Sequence, residues 1–270
     1  MQYDPIKKGL GTFFNRTASF RILFYRLLNL LLLRAWHIKK ELKKYRKENP
    51  GDIRVLDAGS GFGQYTYYMM KLSKSWTITG IDVKTEQISD CNEFIKKIRK
   101  EHRANFKVAD LTTFHEPESY NLILCIDVME HIENDAEVFR NFVKVLKPGG
   151  VVLISTPSDQ GGSDVHEVDD ESFIEEHVRD GYNIAEIEAK LRSAGFMNVE
   201  SRYSYGKPGN ISWKISMKYP ITMLNRSKWL YVILPFYYIL TFPFALLLNF
   251  LDVNIKHKSG TGLIVKASIN

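Results

Sequence analysis

The chain has 270 residues, 44% of them apolar, a net charge of +6 and two cysteines. This suits one α/β domain of ordinary size with additions; it argues against a disordered chain and leaves no disulfide framework or cysteine metal signature. The charge is divided, +9 over residues 1–50, −10 over 51–206 and +7 over 207–270, so an acidic centre lies between two basic flanks of the kind that meet nucleic acid or an anionic membrane.

In the first flank, Leu27 to Leu33 is apolar except for Asn29, is bounded by Arg26 and Arg34, and follows Phe13, Phe14, Phe20, Ile22, Leu23 and Phe24. That run is too short to span a bilayer. Arg16, Arg21 and Arg26 precede it and no small-residue cleavage site follows, which argues against a secretory signal. Lysine and arginine among Phe, Leu and Trp36 fit a helix lying in a membrane interface, and equally a helix packed on the core with a solvated basic side. Residues 39–48 extend it as a polar helix, and Asn49-Pro50-Gly51 is a turn that closes an arm of residues 1–50.

The stretch Val55 to Gly63 organises the centre of the chain. Ile53, Val55 and Leu56 suit a buried parallel strand, and Gly59, Gly61 and Gly63 let the backbone turn sharply and approach a ligand closely. A helix is expected from Gln64, its free N–H groups facing whatever lies over the loop. The dinucleotide spacing G-x-G-x-x-G fails, because the sixth place falls on Gln64 or Thr66. Trp76 to Asp82 is a second strand, and Asp82 at its carboxyl end can accept hydrogen bonds from both hydroxyls of a ribose. Ile88, Cys91, Ile95 and Ile98 mark one buried face of a helix. Phe106 and Val108 suit a third strand ending at Asp110, and Leu122 to Ile126 a fourth, continuous and apolar, ending at Asp127. Asn134 and Glu137 have capping-box spacing before a helix, and Pro148-Gly149-Gly150 turns into a fifth strand, Val151 to Ile154.

The D-x-G-x-G-x-G of Asp57 to Gly63 resembles motif I of the class I methyltransferases that use S-adenosylmethionine, and the order of landmarks across residues 53–156 is similar to that family. The resemblance implies an α/β, doubly wound, seven-stranded sheet with an antiparallel last strand. It also implies a cofactor held by Asp57, Gly59, Ser60, Gly61, Gly63, Asp82, Val83, Asp110, Leu111 and Asp127, with Asp110 on the adenine amino group and Leu111 over the ring. The N/D-P-P-Y motif of members that methylate amino groups of bases or glutamine is replaced here by I-D-V-M-E-H, which favours oxygen or carbon acceptors. Asp127, Glu130 and His131 resemble a cluster associated with a divalent ion such as Mg²⁺ in quinone-pathway O-methyltransferases; Glu-His also occurs at this point without metal, and the expectation is no metal.

Residues 158–171 form a polar glycine-bearing loop at the carboxyl edge of the sheet, where open α/β folds carry substrate chemistry. His166 is the first candidate general base, because imidazole titrates near neutrality, with Glu167 able to orient it. His177 is its rival, with Tyr182 as a positioning group, and His131 completes the candidates.

Residues 183–194 read as a helix ending at Gly195, before the strand-like FMNVESRYSY. The family's seventh strand has its best candidate only at Gly260, so residues 207–257 are an insert and 258–270 the returning strand that completes the core of 51–206. Trp229 to Leu251 carries no charge over twenty-three residues. One crossing would leave the last strand on the wrong side, and Pro235 and Pro243 would break or kink the run. The insert is therefore expected as an interfacial or re-entrant helical hairpin, or as an apolar lid. Basic residues border both ends of the apolar run, as in an element seated among lipid headgroups. A methyltransferase of hydrophobic or amphiphilic acceptors is expected, peripheral on the cytosolic face of an anionic membrane. The substrate class is a quinone-, polyketide- or lipid-like hydroxyl, with an activated carbon or a non-catalytic cofactor-binding module as alternatives and nucleic acid not expected.

Overall fold

The computed structural model describes residues 17–161 and 178–270. Seven strands form one sheet: β1 (Arg54–Ala58), β2 (Thr77–Asp82), β3 (Ala104–Val108), β4 (Tyr120–Ile126), β5 (Leu146–Pro157), β6 (Asn198–Ser204) and β7 (Gly262–Ser268). Their order is β3-β2-β1-β4-β5-β7-β6. The first five run parallel, and β7 runs antiparallel between β5 and β6, as the family resemblance implies. The chain winds outward from β1 to β3 and then returns to lay β4 on the other side of β1. The crevice beyond the carboxyl ends of β1 and β4 is therefore the place where this topology leaves room for a ligand.

Helices cover both faces. Helices α1 (Ala18–Leu31), α2 (Leu33–Glu48), α3 (Gln64–Leu72) and α4 (Thr85–Lys97) lie on one, and α5 (Asp135–Val145) and α6 (Ile184–Ala194) on the other. Asn134 caps α5 by accepting from the Glu137 N–H at 3.3 Å, and Gly195 ends α6 in the left-handed conformation. On the α1–α4 side, Tyr25, Ile38, Leu42 and Tyr45 join Val55, Trp76 and Leu122 in one buried cluster, so the inner side of the N-terminal arm is part of the core. Its outer side shows Phe20, Leu23, Leu27 and Leu30 to the surroundings.

The insert is a helical hairpin. Its first arm is continuous through α7 (Lys207–Trp213), a π-helical stretch (Lys214–Lys218) and α8 (Tyr219–Arg226). A 3-10 turn (Lys228–Val232) leads into α9 (Leu234–Asn254). The arms run antiparallel: Gly209 pairs with Asp252, Ser212 with Ala245 and Ser216 with Tyr238. Of the break or kink expected from the sequence, the break does not occur in the second arm. Pro235 falls in the first turn, where its missing N–H has no intrahelical partner to lose, and α9 continues through Pro243. Contacts on both sides of Pro243 hold it: before it the Tyr237 and Tyr238 hydroxyls donate to the Ile215 and Ser216 carbonyls at 2.7 and 2.9 Å, and after it the Ala245 carbonyl accepts from the Ser212 hydroxyl at 3.0 Å. The Ile215 and Ser216 carbonyls lie one turn before Pro220, which has no N–H to offer them.

Candidate active site

The glycine loop joins β1 to α3 and is folded back against β2. The Gly59 and Ser60 N–H groups both donate to the Ile81 carbonyl at 2.9 Å, and Gly61 N–H donates to Asp82 Oδ2 at 3.0 Å. Gly59 has φ +75°, and a Cβ there would meet Val128 at 2.2 Å, so only glycine lets β1 and the turn after β4 come this close. Gly61 differs: at φ +49° its added Cβ would find nothing nearer than Gln87 at 3.9 Å. That side of the loop is open to a ligand. Gly63, also left-handed, starts α3 without a side-chain cap of its own; Asp57 takes the Thr66 N–H, which leaves those of Gln64 and Tyr65 for an external acceptor.

Two carboxylates hold the loop from different sides. Asp82, at the end of β2, spends one oxygen on Gly61 N–H and the other on Lys84 N–H at 3.0 Å; each oxygen keeps a lone pair for a ribose hydroxyl. Val83 beside it is exposed. Asp57 lies underneath, 2% exposed, and accepts from Thr66 Oγ1 at 2.6 Å. Burial pushes its carboxyl up to about 6, against the Thr66 hydrogen bonds. The Ser60 hydroxyl is buried and has no hydrogen-bond partner among the described residues, an unmet demand within the loop itself. At the end of β3, Asp110 is exposed and its Oδ1 accepts from the Thr112 N–H and hydroxyl at 2.8 and 2.7 Å, while Leu111 turns into the core.

Asp127 follows β4 with φ +50°, uncommon for a non-glycine residue; its N–H donates to the Ser155 carbonyl at 2.8 Å. Its carboxylate is ion-paired with the Arg34 guanidinium. Arg34 comes from the first turn of α2, and its N–H donates to the Tyr205 hydroxyl at 2.9 Å. Sequence reading missed Arg34 as a site residue, although an arginine closing an apolar run, Leu31-Leu32-Leu33-Arg34, was the available signal. Tyr205 in turn donates its N–H to Asp252 at the root of the hairpin, at 3.2 Å. A chain of direct contacts thus links the insert to the end of β4.

The other candidates are dispersed. Glu130 is 1% exposed and accepts from Thr156 Oγ1 at 3.1 Å; burial raises its pKa. His131 is exposed on the same 3-10 turn, Met129–His131. Tyr182 is wholly buried, and its hydroxyl donates to Asp135 at 2.7 Å, a carboxylate that also pairs with Arg179 and Lys190. His166, Glu167 and His177 lie outside the described residues. Among the described residues no group of three or more His, Cys, Asp and Glu side chains is arranged to hold a metal ion: Asp127 is engaged by Arg34 and Glu130 by Thr156.

S-adenosylmethionine fits this donor set. The open loop at Gly61 and the unpartnered Ser60 hydroxyl meet its polar groups, Asp82 is placed for the ribose, and the Arg34–Asp127 pair offers one charge to each end of an amino-acid zwitterion.

Known proteins place the fold. Phosphoethanolamine N-methyltransferase 1 of Arabidopsis thaliana is 34% identical over 171 residues, which are 59% of this chain and 32% of that protein. The ubiquinone biosynthesis O-methyltransferase of Rickettsia bellii is 24% identical over 155 residues, 57% of this chain and 61% of its own. The matches thus span about a third of the plant relatives and under two thirds of the bacterial one. Among solved structures, phosphoethanolamine N-methyltransferase 2 of Haemonchus contortus in complex with S-adenosyl-L-methionine superposes with a TM-score of 0.60 at 19% identity, covering 96% of this chain and 59% of that one. The [4+2]-cyclase SpnF gives 0.58 at 16% identity, covering 87% and 81%. The family described as "Methyltransferase domain" matches residues 50–201, more than half of the sequence and the whole span from β1 to the middle of β6, and the chain belongs to that methyltransferase family.

Proposed function

We propose that the chain transfers a methyl group from S-adenosylmethionine to a hydrophobic or amphiphilic small molecule that it meets at the cytosolic surface of an anionic membrane. The observation that carries this reading is the loop at Gly59–Gly63, open at Gly61 and flanked by the Arg34–Asp127 pair, with the apolar hairpin rooted one contact away through Tyr205. When bound, the cofactor supplies a methyl group already activated by its sulfonium. The protein's part is alignment, exclusion of water and removal of a proton. Arg34 and Asp127 orient the amino-acid end, and Asp82 fixes the ribose. For a hydroxyl acceptor the proton goes to an imidazole, His166 first and His177 or His131 as alternatives, with Tyr182 holding the adjoining segment through Asp135.

O-methylation of a quinone-, polyketide- or lipid-like hydroxyl is the favoured transfer. The Rickettsia relative's name supports oxygen. A second reading, transfer to the nitrogen of an amino-alcohol phosphate, draws on the plant relatives' names. Lipid extracts incubated with methyl-labelled S-adenosylmethionine distinguish them. Label is expected in an organic-soluble product, on oxygen by fragmentation; label only in water-soluble products overturns the amphiphilic acceptor. In the same preparation, Asp82→Ala is expected to weaken calorimetric binding of S-adenosylhomocysteine by about 10- to 100-fold, the worth of hydrogen bonds to a charged group. Unchanged affinity removes Asp82 from the site.

A further inference from the structure

The two arms of the hairpin divide their surfaces in opposite senses. On α9, Tyr238, Ala245, Asn249 and Asp252 face the first arm or the core, whereas Phe236, Ile239, Leu240, Phe244, Leu247 and Phe250 face outward, each more than half exposed. Leu240 reaches 70%. A helix on a water-soluble surface turns its polar side out; α9 turns it in, and the contact is made by small residues and hydrogen-bonding side chains, as between helices in lipid.

The first arm presents the complementary surface. Gly209, Ser212, Ser216 and Pro220 are buried, with Gly209, Ser212 and Ser216 bonded to α9. Lys214 and Lys218 each stand two positions beyond one of those serines, about 200° round a helix. They project on the side away from α9. The insert is thus a two-layer element, with an apolar ridge on one layer and, on the outer side of the other, half-buried Lys214 and Lys218 beside exposed Ile211 and Ile221. Residues 207–270 contain a single acid, Asp252, which is wholly buried, so every exposed charged side chain there is cationic. That complements an anionic leaflet.

Among the described residues α9 is the one helix long and apolar enough to cross a bilayer, at about 31 Å for its length. A crossing would carry the first arm with it and place Lys214, which lies level with the centre of α9, near the middle of the hydrocarbon, where an ammonium group is strongly disfavoured. Resting on the membrane reading of the proposed function and deepening it, we propose that the hairpin lies in the plane of an anionic leaflet, with the outward ridge of α9 among the acyl chains and Lys214 and Lys218 at headgroup level.

Depth measurements test this. Phe236→Cys, Leu240→Cys, Leu247→Cys, Phe250→Cys and Lys214→Cys are each labelled with an environment-sensitive fluorophore, the native Cys91 and Cys125 being buried, and mixed with phosphatidylcholine–phosphatidylglycerol vesicles carrying bromines at defined acyl positions. The four ridge labels are expected to be quenched alike by bromines near the headgroups, and the Lys214 label to stay in the polar zone. A depth that rises and falls from Phe250 to Phe236 shows a crossing and overturns the proposal. Lys214→Gln with Lys218→Gln is expected to weaken binding to these vesicles by about 30-fold, each cation adding about a factor of five, with melting temperature unchanged; unaltered binding overturns the headgroup assignment. If no variant or parent associates with vesicles, the in-plane proposal fails, while S-adenosylhomocysteine affinity and methyl transfer to a detergent-dispersed acceptor report separately on the catalytic reading.

Discussion

Asp57 illustrates what a buried carboxylate does beneath a cofactor loop. It anchors α3 to β1 through Thr66, and its low exposure raises its pKa from 3.8 to about 6. A raised pKa means that the folded state favours the protonated form. The contribution to stability is full below the ordinary carboxylate value and is lost as pH rises through about 6. The shift corresponds to about 3 kcal/mol between pH 4 and pH 7. Asp57→Asn, which keeps the shape without the charge, is therefore expected to gain stability relative to the parent as pH rises across that window, by denaturant unfolding at a series of pH values. A pH-independent difference between the two proteins overturns the assignment.

At the scale of elements, the root of the hairpin is tied by one residue. Asp252 Oδ2 accepts from Gly209 N–H at 2.9 Å, at the start of α7, and Oδ1 accepts from Tyr205 N–H at 3.2 Å and from His37 Nε2 at 2.8 Å. Arg202 donates to His37 Nδ1 at 3.3 Å, which fixes the neutral ring as an Nε2–H donor. Burial lowers the His37 pKa, only partly opposed by Asp252. Burial also works against the Asp252 charge, but the His37 and Gly209 hydrogen bonds and nearby His257 outweigh it and lower its pKa. Asp252→Ala strands these donors, and a loss of about 3 kcal/mol or more is expected from chemical denaturation, at about 1–3 kcal/mol for a buried donor left without a partner. Limited proteolysis should then cut near Gly206 or Ile255, at the two ends of the insert. A variant as stable as the parent, with an uncut insert, refutes this role for Asp252.

Among the described residues, exposed large apolar side chains are concentrated on the outer side of α1 and on the hairpin, where they cover the ridge of α9, the Trp229–Ile233 tip and Ile211, Tyr219 and Ile221 of the first arm. Two linked weak contacts reinforce each other through effective concentration, so neither has to hold the protein alone. Replacing Phe20, Leu23, Leu27 and Leu30 together by serine is expected to weaken sedimentation with anionic vesicles by about tenfold or more. Affinity for S-adenosylhomocysteine should stay within about twofold, because these side chains point away from the core. Undiminished vesicle binding would show that α9 acts without α1.

The local pattern of the chain determined the sheet and its loop. Apolar runs bounded by glycine, proline and acids define β1 to β5, the glycines at 59, 61 and 63 announce the turn after β1, and Gly195 marks the end of α6, because each depends on neighbours within a few residues. The placement of β7 between β5 and β6 followed from resemblance to a family, since nothing local to Gly262–Ser268 names its partners. Tertiary structure alone decided the rest. Arg34 reaches Asp127 across more than ninety residues, and Pro243 stays helical because the other face of α9 is held by the first arm. The same apolar sequence from Trp229 to Leu251 suits a crossing, a lid or a surface helix. Its Tyr237 and Tyr238 hydroxyls are committed to the π-helical stretch and its Ala245 carbonyl to Ser212 of α7, and that packing, set by contacts far apart in the chain, leaves the apolar ridge facing outward.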